Sequence, residues 1–152
     1  MPLREQVARA LVNKGVALRA LDRGEEAIAV YDDLLARFGT ATELPLREPV
    51  ARALYNKGGR LRALDRHEEA IAAYDDLLAR FATATELPLH EPVARALVDK
   101  GAALGALDRS EEAIAVYDDL LARFGTATEL PLREQVAGAL VNKGIRLGAL
   151  DM

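Results

Sequence analysis

The feature that most constrains this chain is a unit of 43 residues that is written out repeatedly. Each unit begins with the dipeptide Pro-Leu, at Pro2, Pro45, Pro88 and Pro131. The first two units differ at only seven of their 43 positions. Near copies with such a period indicate a stacked array, because each copy buries its apolar face against its neighbour. We therefore predict a single repeat domain over residues 1–152, with units 2–44, 45–87 and 88–130 and a half unit 131–152.

Each unit contains two amphipathic segments with helical periodicity, which we call helix A and helix B. At about 100° per residue, one face of the first helix A collects Val7, Ala10, Leu11, Leu18 and Leu21. The apolar stripe of the first helix B consists of Ala27, Ile28, Tyr31, Leu34, Leu35 and Phe38. The connection between the two segments is short, which predicts an antiparallel hairpin with the apolar faces together.

The sequence also predicts how the helices begin and end. Asp22 is followed three residues later by Glu25, a spacing that predicts a cap on the first turn of helix B. Gly39 and Gly125 follow helix B, where a left-handed residue is common. Pro45 and its equivalents suit the first turn of helix A, whereas Pro49 and Pro92 lie further in. We therefore expect the second and third helices A to start late or with a bend.

Each hairpin contains a recurring motif, which in the first unit is Leu11-x-x-Lys14-Gly15-x-x-Leu18 followed by Ala27-x-x-x-Tyr31. This motif resembles the tetratricopeptide repeat. The unit departs from that pattern, since Leu11 replaces Trp, Lys14 replaces Leu, and nine additional residues lengthen the next helix A by about two turns. The resemblance implies an all-α, right-handed alpha solenoid of stacked antiparallel helical hairpins, with three hairpins and one terminal helix. It also implies that helices A line a concave inner surface and helices B the outer one.

The charges are distributed unequally between the two kinds of helix. Residues 2–21, 45–64, 88–107 and 131–150 carry net charges of +3, +4, 0 and +2, whereas residues 22–44, 65–87 and 108–130 carry −4 each. Much of the difference between units falls on the inner side of helix A. Drift at solvated positions is one explanation. The other is a groove for an extended acidic peptide, held by Arg9, Asn13, Arg19, Arg52, Tyr55, Asn56, Arg60 and Arg62.

The lysines of helix A form a row, because Lys14, Lys57, Lys100 and Lys143 occupy the same position in each unit. Their wheel angle falls inside the apolar face. The structural interpretation is a buried stem whose ammonium reaches a carboxylate of helix B or a carbonyl oxygen. The functional alternative is a row of ligand cations.

The last helix A has no helix B after it in this sequence, so its apolar face lacks a partner. Burial of apolar side chains is strongly favourable, and an uncovered face therefore favours association. We predict a homodimer in which two terminal helices meet about a two-fold axis. The contact residues of this self-association are Val136, Leu140, Leu147 and Leu150. A head-to-tail contact with the first helix of another copy is the competing arrangement, and a structural module without a small ligand is the alternative function.

Other function classes find little support in the sequence. There is no Cys, Ser110 is the only serine, and the two histidines, His67 and His90, occupy non-equivalent positions, so we expect no enzyme, no metal and no cofactor. The overall charge of −4 argues against a nucleic-acid partner. No apolar run is long enough for a membrane span. The default expectation is a cytoplasmic protein that binds another protein or peptide.

Overall fold

A computed structural model describes residues 2–151, and these form seven α-helices without a β-strand. The helices are α1 (Pro2–Ala20), α2 (Gly24–Phe38), α3 (Leu44–Ala63), α4 (His67–Phe81), α5 (Leu87–Ala106), α6 (Ser110–Phe124) and α7 (Leu130–Leu150). Helices α1, α3, α5 and α7 are the predicted helices A, and α2, α4 and α6 are the helices B. Consecutive helices pack together within the hairpins. The predicted all-α fold of helical hairpins is therefore confirmed.

The contacts divide the chain into two compact units, with the boundary after Leu77 inside α4. In the first unit, α1 packs against α2, and both pack against α3. In the second, α5, α6 and α7 pack against one another in the same pattern. The single repeat domain and the handedness of the array stay predictions from the sequence. Within residues 2–151, none of the helices combines the length and the apolarity that crossing a membrane requires.

Helix A is longer than helix B, as the additional residues predict. Helix α3 has 20 residues and α4 has 15. The expected late start of α3 and α5 is wrong, because they begin at Leu44 and Leu87, at the same place in the unit as α7. Pro45 lies in the first turn, and Pro49 lies inside α3 and removes only one backbone hydrogen bond from it. The prolines are therefore accommodated without shortening the helix.

The predicted cap of helix B by Asp22 is also wrong. Asp22 has a φ of 60°, and no side chain caps the start of α2, whose N-cap residue is Arg23. Instead Asp22 ends α1: the amide of Arg23 donates to the carbonyl of Leu18 at 2.8 Å, and the amide of Asp22 donates to that of Arg19 at 2.9 Å. This is the Schellman pattern, which needs one left-handed residue to reverse the chain. The same positive φ occurs at Asp65 and Asp108.

The left-handed conformation predicted at Gly39 and Gly125 is not present. Both have φ near −60° and continue the helical backbone, and the amide of Gly39 donates to the carbonyl of Leu35 at 2.9 Å. The equivalent Ala82 makes the same hydrogen bond to Leu78. An alanine is tolerated there because a right-handed residue needs no glycine.

The core of each hairpin forms where the apolar stripe of helix B meets helix A. In α2 the side chains of Ala27, Tyr31 and Leu34 are at most 1% exposed, as the stripe predicts. Gly15 of α1 lies against the Tyr31 ring, in space that a Cβ atom would overlap. Gly58 and Gly101 face Tyr74 and Tyr117 in the same way. The glycine thus lets an aromatic ring pack directly on the backbone of helix A.

The predicted apolar face of the first helix A needs two corrections. Ala10 is exposed, although its equivalents Ala53 and Ala96 are completely buried, because no described element precedes α1 to cover this side. Leu21 is 64% exposed, since α1 ends at Ala20 and Leu21 lies in the turn. Helix periodicity does not carry beyond the last turn of the helix.

The lysine row is explained by contacts between successive hairpins. The Lys57 ammonium lies 2.6 Å from an Asp32 carboxylate oxygen, and Lys143 lies 2.6 Å from Asp118. In both pairs the carboxylate belongs to the helix B of the preceding hairpin. Lys14, which has no described hairpin before it, is exposed. The structural interpretation of the row is therefore confirmed at Lys57 and Lys143.

Candidate functional site

Polar side chains of α1 and α3 come together on one side of the first unit. Arg9 and Asn13 of α1 and Arg52 of α3 line an open pocket of about 280 Å³. The remaining lining residues are Val12, Pro45, Glu48 and Pro49. Three of the eight predicted peptide-binding residues therefore share one pocket, which we call the proximal pocket.

The proximal pocket contains charges of both signs. Arg9 is held by Glu5 of the same helix at 2.7 Å, whereas Arg52 forms no ion pair among the described residues. The Glu48 carboxylate lies in the wall of the pocket. An anionic ligand would therefore meet one guanidinium that has no acidic partner and a second that it must share with Glu5.

A second group of predicted residues, Asn56, Arg60 and Arg19, interacts with the hydroxyl of Tyr31, and we call it the distal cluster. Burial raises the pKa of Tyr31, while a hydrogen bond from the Asn56 amide and the positive charges of Arg60 and Arg19 act in the opposite direction. The pKa of Arg60 is lowered by burial and then by the nearby charge of Arg19. The charges of these two guanidinium groups thus act on each other, and neither group forms an ion pair within residues 2–151. Such a pair attracts an anion, because a carboxylate between them would relieve their mutual repulsion.

The remaining two predicted residues have packing contacts in the second hairpin. The centroid of the Tyr55 ring lies 6.2 Å from that of Tyr74, with the rings tilted by 41°. Arg62 is half-buried, and its Nε atom is fully enclosed. The structure therefore brings six of the eight predicted residues into the proximal pocket and the distal cluster, and it leaves Tyr55 and Arg62 outside both.

The second compact unit, which contains α5, α6 and α7, has a counterpart of the distal cluster. Tyr117, Asn142 and Arg146 occupy the positions of Tyr31, Asn56 and Arg60, and they line a cavity of about 320 Å³. Gly105 stands there in place of Arg19, and Arg146 donates to the Gly105 carbonyl at 3.2 Å. The interaction between two guanidinium groups is thus a property of the first compact unit.

Some residues of the site have only a weak signal in the sequence. The wheel assigns Tyr31 to the core, and its side chain is indeed buried, but its hydroxyl forms a hydrogen bond with the Asn56 side chain of α3. Glu48 and Pro49 were not predicted to line a pocket. The signal for Glu48 was its position four residues before Arg52, since residues at this spacing are neighbours on a helix surface.

The two histidines do not form a site. His67 lies 3.5 Å from Asp65, and the His90 Nε2 atom lies 3.2 Å from the Ala84 carbonyl oxygen. Each is partly buried in its own unit rather than solvated. Across residues 2–151, no group of three or more His, Asp or Glu side chains is arranged to hold a metal ion.

Comparisons with known proteins agree with this architecture. The family model described as tetratricopeptide repeat matches the chain twice, over residues 6–83 and 49–126. A comparison with curated proteins finds no match. Together the two family matches cover most of the chain, and they support a protein–protein interaction or scaffold role, which in this family is generally not enzymatic. The chain therefore belongs to the tetratricopeptide repeat family.

Proposed function

We propose that this protein is an interaction scaffold that binds an extended acidic peptide across α1 and α3. The observation that carries the proposal is the proximal pocket, which is lined by Arg9, Asn13 and Arg52. The distal cluster adds the positive charges of Arg19 and Arg60, which act on each other and on the Tyr31 hydroxyl. Hydrogen bonds between guanidinium and carboxylate groups are charge-assisted and roughly twice as strong as neutral ones.

The spacing of these groups defines the expected ligand. Arg52 and Arg60 are eight residues apart on α3, which at about 1.5 Å per residue is a distance of about 12 Å along the helix. An extended peptide rises about 3.3 Å per residue, so carboxylates about four residues apart would reach both sites. Asn13, in the proximal pocket, can accept and donate hydrogen bonds to the peptide backbone.

Acidic residues within the site limit the expected affinity. Glu5 already holds Arg9, and Glu48 lies in the wall of the proximal pocket. Binding through the remaining guanidinium groups should be strongest at low salt, because exposed charges are screened within about 10 Å at an ionic strength of about 0.1 M.

The test uses three fluorescein-labelled peptides of equal length. The first has two glutamates four residues apart, the second has two adjacent glutamates, and the third has two lysines four residues apart. Fluorescence anisotropy should give the tightest binding for the first peptide, with an affinity that falls as salt is raised. Equal binding of the glutamate and lysine peptides, or binding that does not depend on salt, would contradict the proposal.

The second candidate function is self-assembly through α7. Its support is the exposure of apolar side chains, with Leu140 55%, Leu147 46% and Leu150 48% exposed and Val136 half-buried. In this proposal, two α7 helices meet about a two-fold axis and form a homodimer. Sedimentation over a wide range of concentrations should then give a discrete dimer, and the double change Leu140→Glu and Leu147→Glu should return it to the monomer. The location in the cytoplasm stays a prediction from the sequence.

A further inference from the structure

The cavity between α5 and α7, which we call the α5–α7 cavity, differs in chemistry from the α1–α3 surface. Its volume of about 320 Å³ is near the lower end of the range of about 300–1,000 Å³ that is typical of small-ligand sites. Glycines and alanines of α5 contribute to the lining, together with Asn142, Ile145 and Arg146 of α7. No acidic residue is among the described residues that line it, whereas Glu48 lies in the wall of the proximal pocket. A positively charged cavity without a carboxylate favours an anionic ligand.

Arg146 supplies the positive charge of the α5–α7 cavity, and Gly105 determines where this side chain lies. The Arg146 Nη1 atom donates to the Gly105 carbonyl at 3.2 Å. A Cβ atom at position 105 would lie 3.2 Å from both Cδ and Nη1 of Arg146, so the glycine lets the arginine side chain pack against the α5 backbone. Arg146 forms no ion pair within residues 2–151. Because a guanidinium group has several N–H donors, those not used by Gly105 can bind a carboxylate.

The rest of the α5–α7 cavity is largely apolar. Ile145 precedes Arg146 on α7 and is 53% exposed. The equivalent positions of α1, α3 and α5 are also at least partly exposed, so the exposure is a property of this side of helix A. Ala102 and Ala106 of α5 add methyl groups to the lining. An apolar group that covered Ile145 would bind favourably, because it would remove apolar surface from water.

We propose that the α5–α7 cavity binds a small aliphatic carboxylate, whose carboxylate group accepts hydrogen bonds from Arg146 and whose tail covers Ile145. Asn142 lies about one turn before Arg146 on α7 and can donate a further hydrogen bond to the ligand. A free short-chain acid and the last residue of a peptide that ends in leucine both carry this chemistry. The proposal concerns residues of α5, α6 and α7 alone, so it does not depend on the binding of an acidic peptide to α1 and α3.

Two differences between equivalent positions give the α5–α7 cavity its selectivity. Arg19 of α1 occupies the position of Gly105 in α5, and Gly59 of α3 occupies the position of Ile145 in α7. The α1–α3 surface therefore has a second guanidinium group where the cavity has a glycine, and it lacks the isoleucine side chain. Carboxylates with an aliphatic tail should favour the α5–α7 cavity, and peptides with two carboxylates should favour α1 and α3.

The test is a titration of the isotope-labelled full chain with sodium isocaproate at low salt. NMR would follow the Gly105 backbone amide and the Asn142 side-chain amide, and both signals should shift saturably. Isocaproamide has the tail without the charge, and acetate has the charge without the tail. Each should bind at least tenfold more weakly than isocaproate.

A short peptide ending in leucine, with a free or an amidated carboxyl terminus, distinguishes the two sources of the ligand. In both cases the amidated peptide should bind at least tenfold more weakly than the free form. Tighter binding of the free-terminus peptide than of isocaproate would assign the cavity to the end of a peptide. Tighter binding of isocaproate would assign it to a free acid.

Variants of the chain locate the binding site. Arg146→Gln should weaken isocaproate binding at least tenfold, and the matched control Arg133→Gln, which removes an exposed charge from the same helix, should leave it unchanged. Ala102→Leu fills the cavity and should also weaken binding at least tenfold. Its control is Ala115→Leu at an exposed position of α6, which should bind as the wild type does.

Three results would overturn the proposal. The first is the absence of saturable shifts in the wild-type chain. The second is equal binding of isocaproate and either comparison compound, because the ligand would then not need both the charge and the tail. The third is binding that survives either Arg146→Gln or Ala102→Leu, which would place the acid elsewhere on the chain.

Discussion

The ring of Tyr31 packs directly on the backbone of Gly15, in space that a Cβ atom would overlap. The contact joins helix B to helix A at the middle of the hairpin, and the Tyr31 ring is 1% exposed. The buried Tyr31 hydroxyl forms a hydrogen bond with the Asn56 side chain of α3, and the charge of Arg60 acts on it. One residue pair therefore holds the hairpin together and also places a polar group in the candidate site.

The equivalent contact in the second hairpin, between Gly58 and Tyr74, predicts opposite effects on stability at two neighbouring glycines of α3. Gly58→Ala would press a methyl group against the Tyr74 ring, so we expect a loss of about 1–3 kcal/mol in the free energy of unfolding. Gly59 has no atom within 4 Å of its Cβ position, and Gly59→Ala should stabilise the helix by about 1 kcal/mol. Chemical denaturation of both variants gives the comparison. Destabilisation by both changes would mean that the α3–α4 hairpin is aligned differently.

The left-handed turn predicts a stabilising substitution at Asp22. A non-glycine residue in this conformation costs about 1 kcal/mol, and Asp22 is exposed. Asp22→Gly should therefore raise the free energy of unfolding by about 0.5–1 kcal/mol, after allowance for the greater freedom of glycine in the unfolded chain. Asp22→Ala should not raise it, because alanine shares the steric cost of the left-handed conformation. Thermal denaturation of the two variants tests this, and a destabilising Asp22→Gly would argue against the left-handed turn.

The ion pair between Lys57 and Asp32 should make a small contribution to stability. The equivalent lysine of the first hairpin, Lys14, should contribute less. Lys57 is 27% exposed, and a partly exposed pair contributes about 0.2–1 kcal/mol. Lys57→Ala should lower the stability by this order, and the loss should shrink in high salt. Lys14→Ala removes the equivalent lysine, which forms no ion pair with a preceding hairpin, and should change stability less. A double-mutant cycle with Asp32→Ala isolates the pair, and zero coupling in that cycle would contradict the contact.

Much of this fold can be predicted from the sequence. The features that cannot be predicted have identifiable physical causes. Periodicity within the unit identifies the hairpins and the buried stripe of helix B, because the same pattern is satisfied in every copy. Local preference predicts the left-handed position at Gly39, because glycine adopts it most readily, but Asp22 is the residue that adopts it. The observed choice depends on where the chain must reverse: after helix B the helical backbone simply continues for one more residue, whereas after helix A it turns back.

The surroundings of the candidate site residues follow less directly from the sequence than the fold does. Ala10 and Ala53 are the same residue in equivalent positions, yet one is exposed and the other is buried, because burial depends on which hairpins lie next to the helix. For the same reason the sequence does not separate Arg19, which belongs to the distal cluster, from the equivalent Arg62, which is half-buried in the second hairpin. A repeat pattern predicts the helix face on which a residue lies, but it does not predict which side chains from other helices surround that residue.

That difference between equivalent arginines can be tested directly. Arg19→Glu changes an exposed charge, and surface changes of this kind usually stay within about 0.5 kcal/mol of the wild-type stability. Arg62→Glu replaces a half-buried side chain whose Nε atom is enclosed, so we expect a loss of about 1–3 kcal/mol. Unfolding curves in urea would measure both. Equal effects of the two changes would show that the two arginines have similar surroundings.

The central claim is that the α1–α3 surface binds an acidic peptide. The most direct measurement is isothermal titration of the peptide with two glutamates four residues apart into three forms of the chain at low salt: the wild type, the double variant Arg19→Glu and Arg52→Glu, and Arg95→Glu. Arg95 occupies the position of Arg52 in the third repeat, in α5, where it pairs with Glu91 at 3.1 Å. We expect the double variant to lose binding at least tenfold and Arg95→Glu to bind as the wild type does. Binding that is unchanged in the double variant, or lost equally in Arg95→Glu, would contradict the claim.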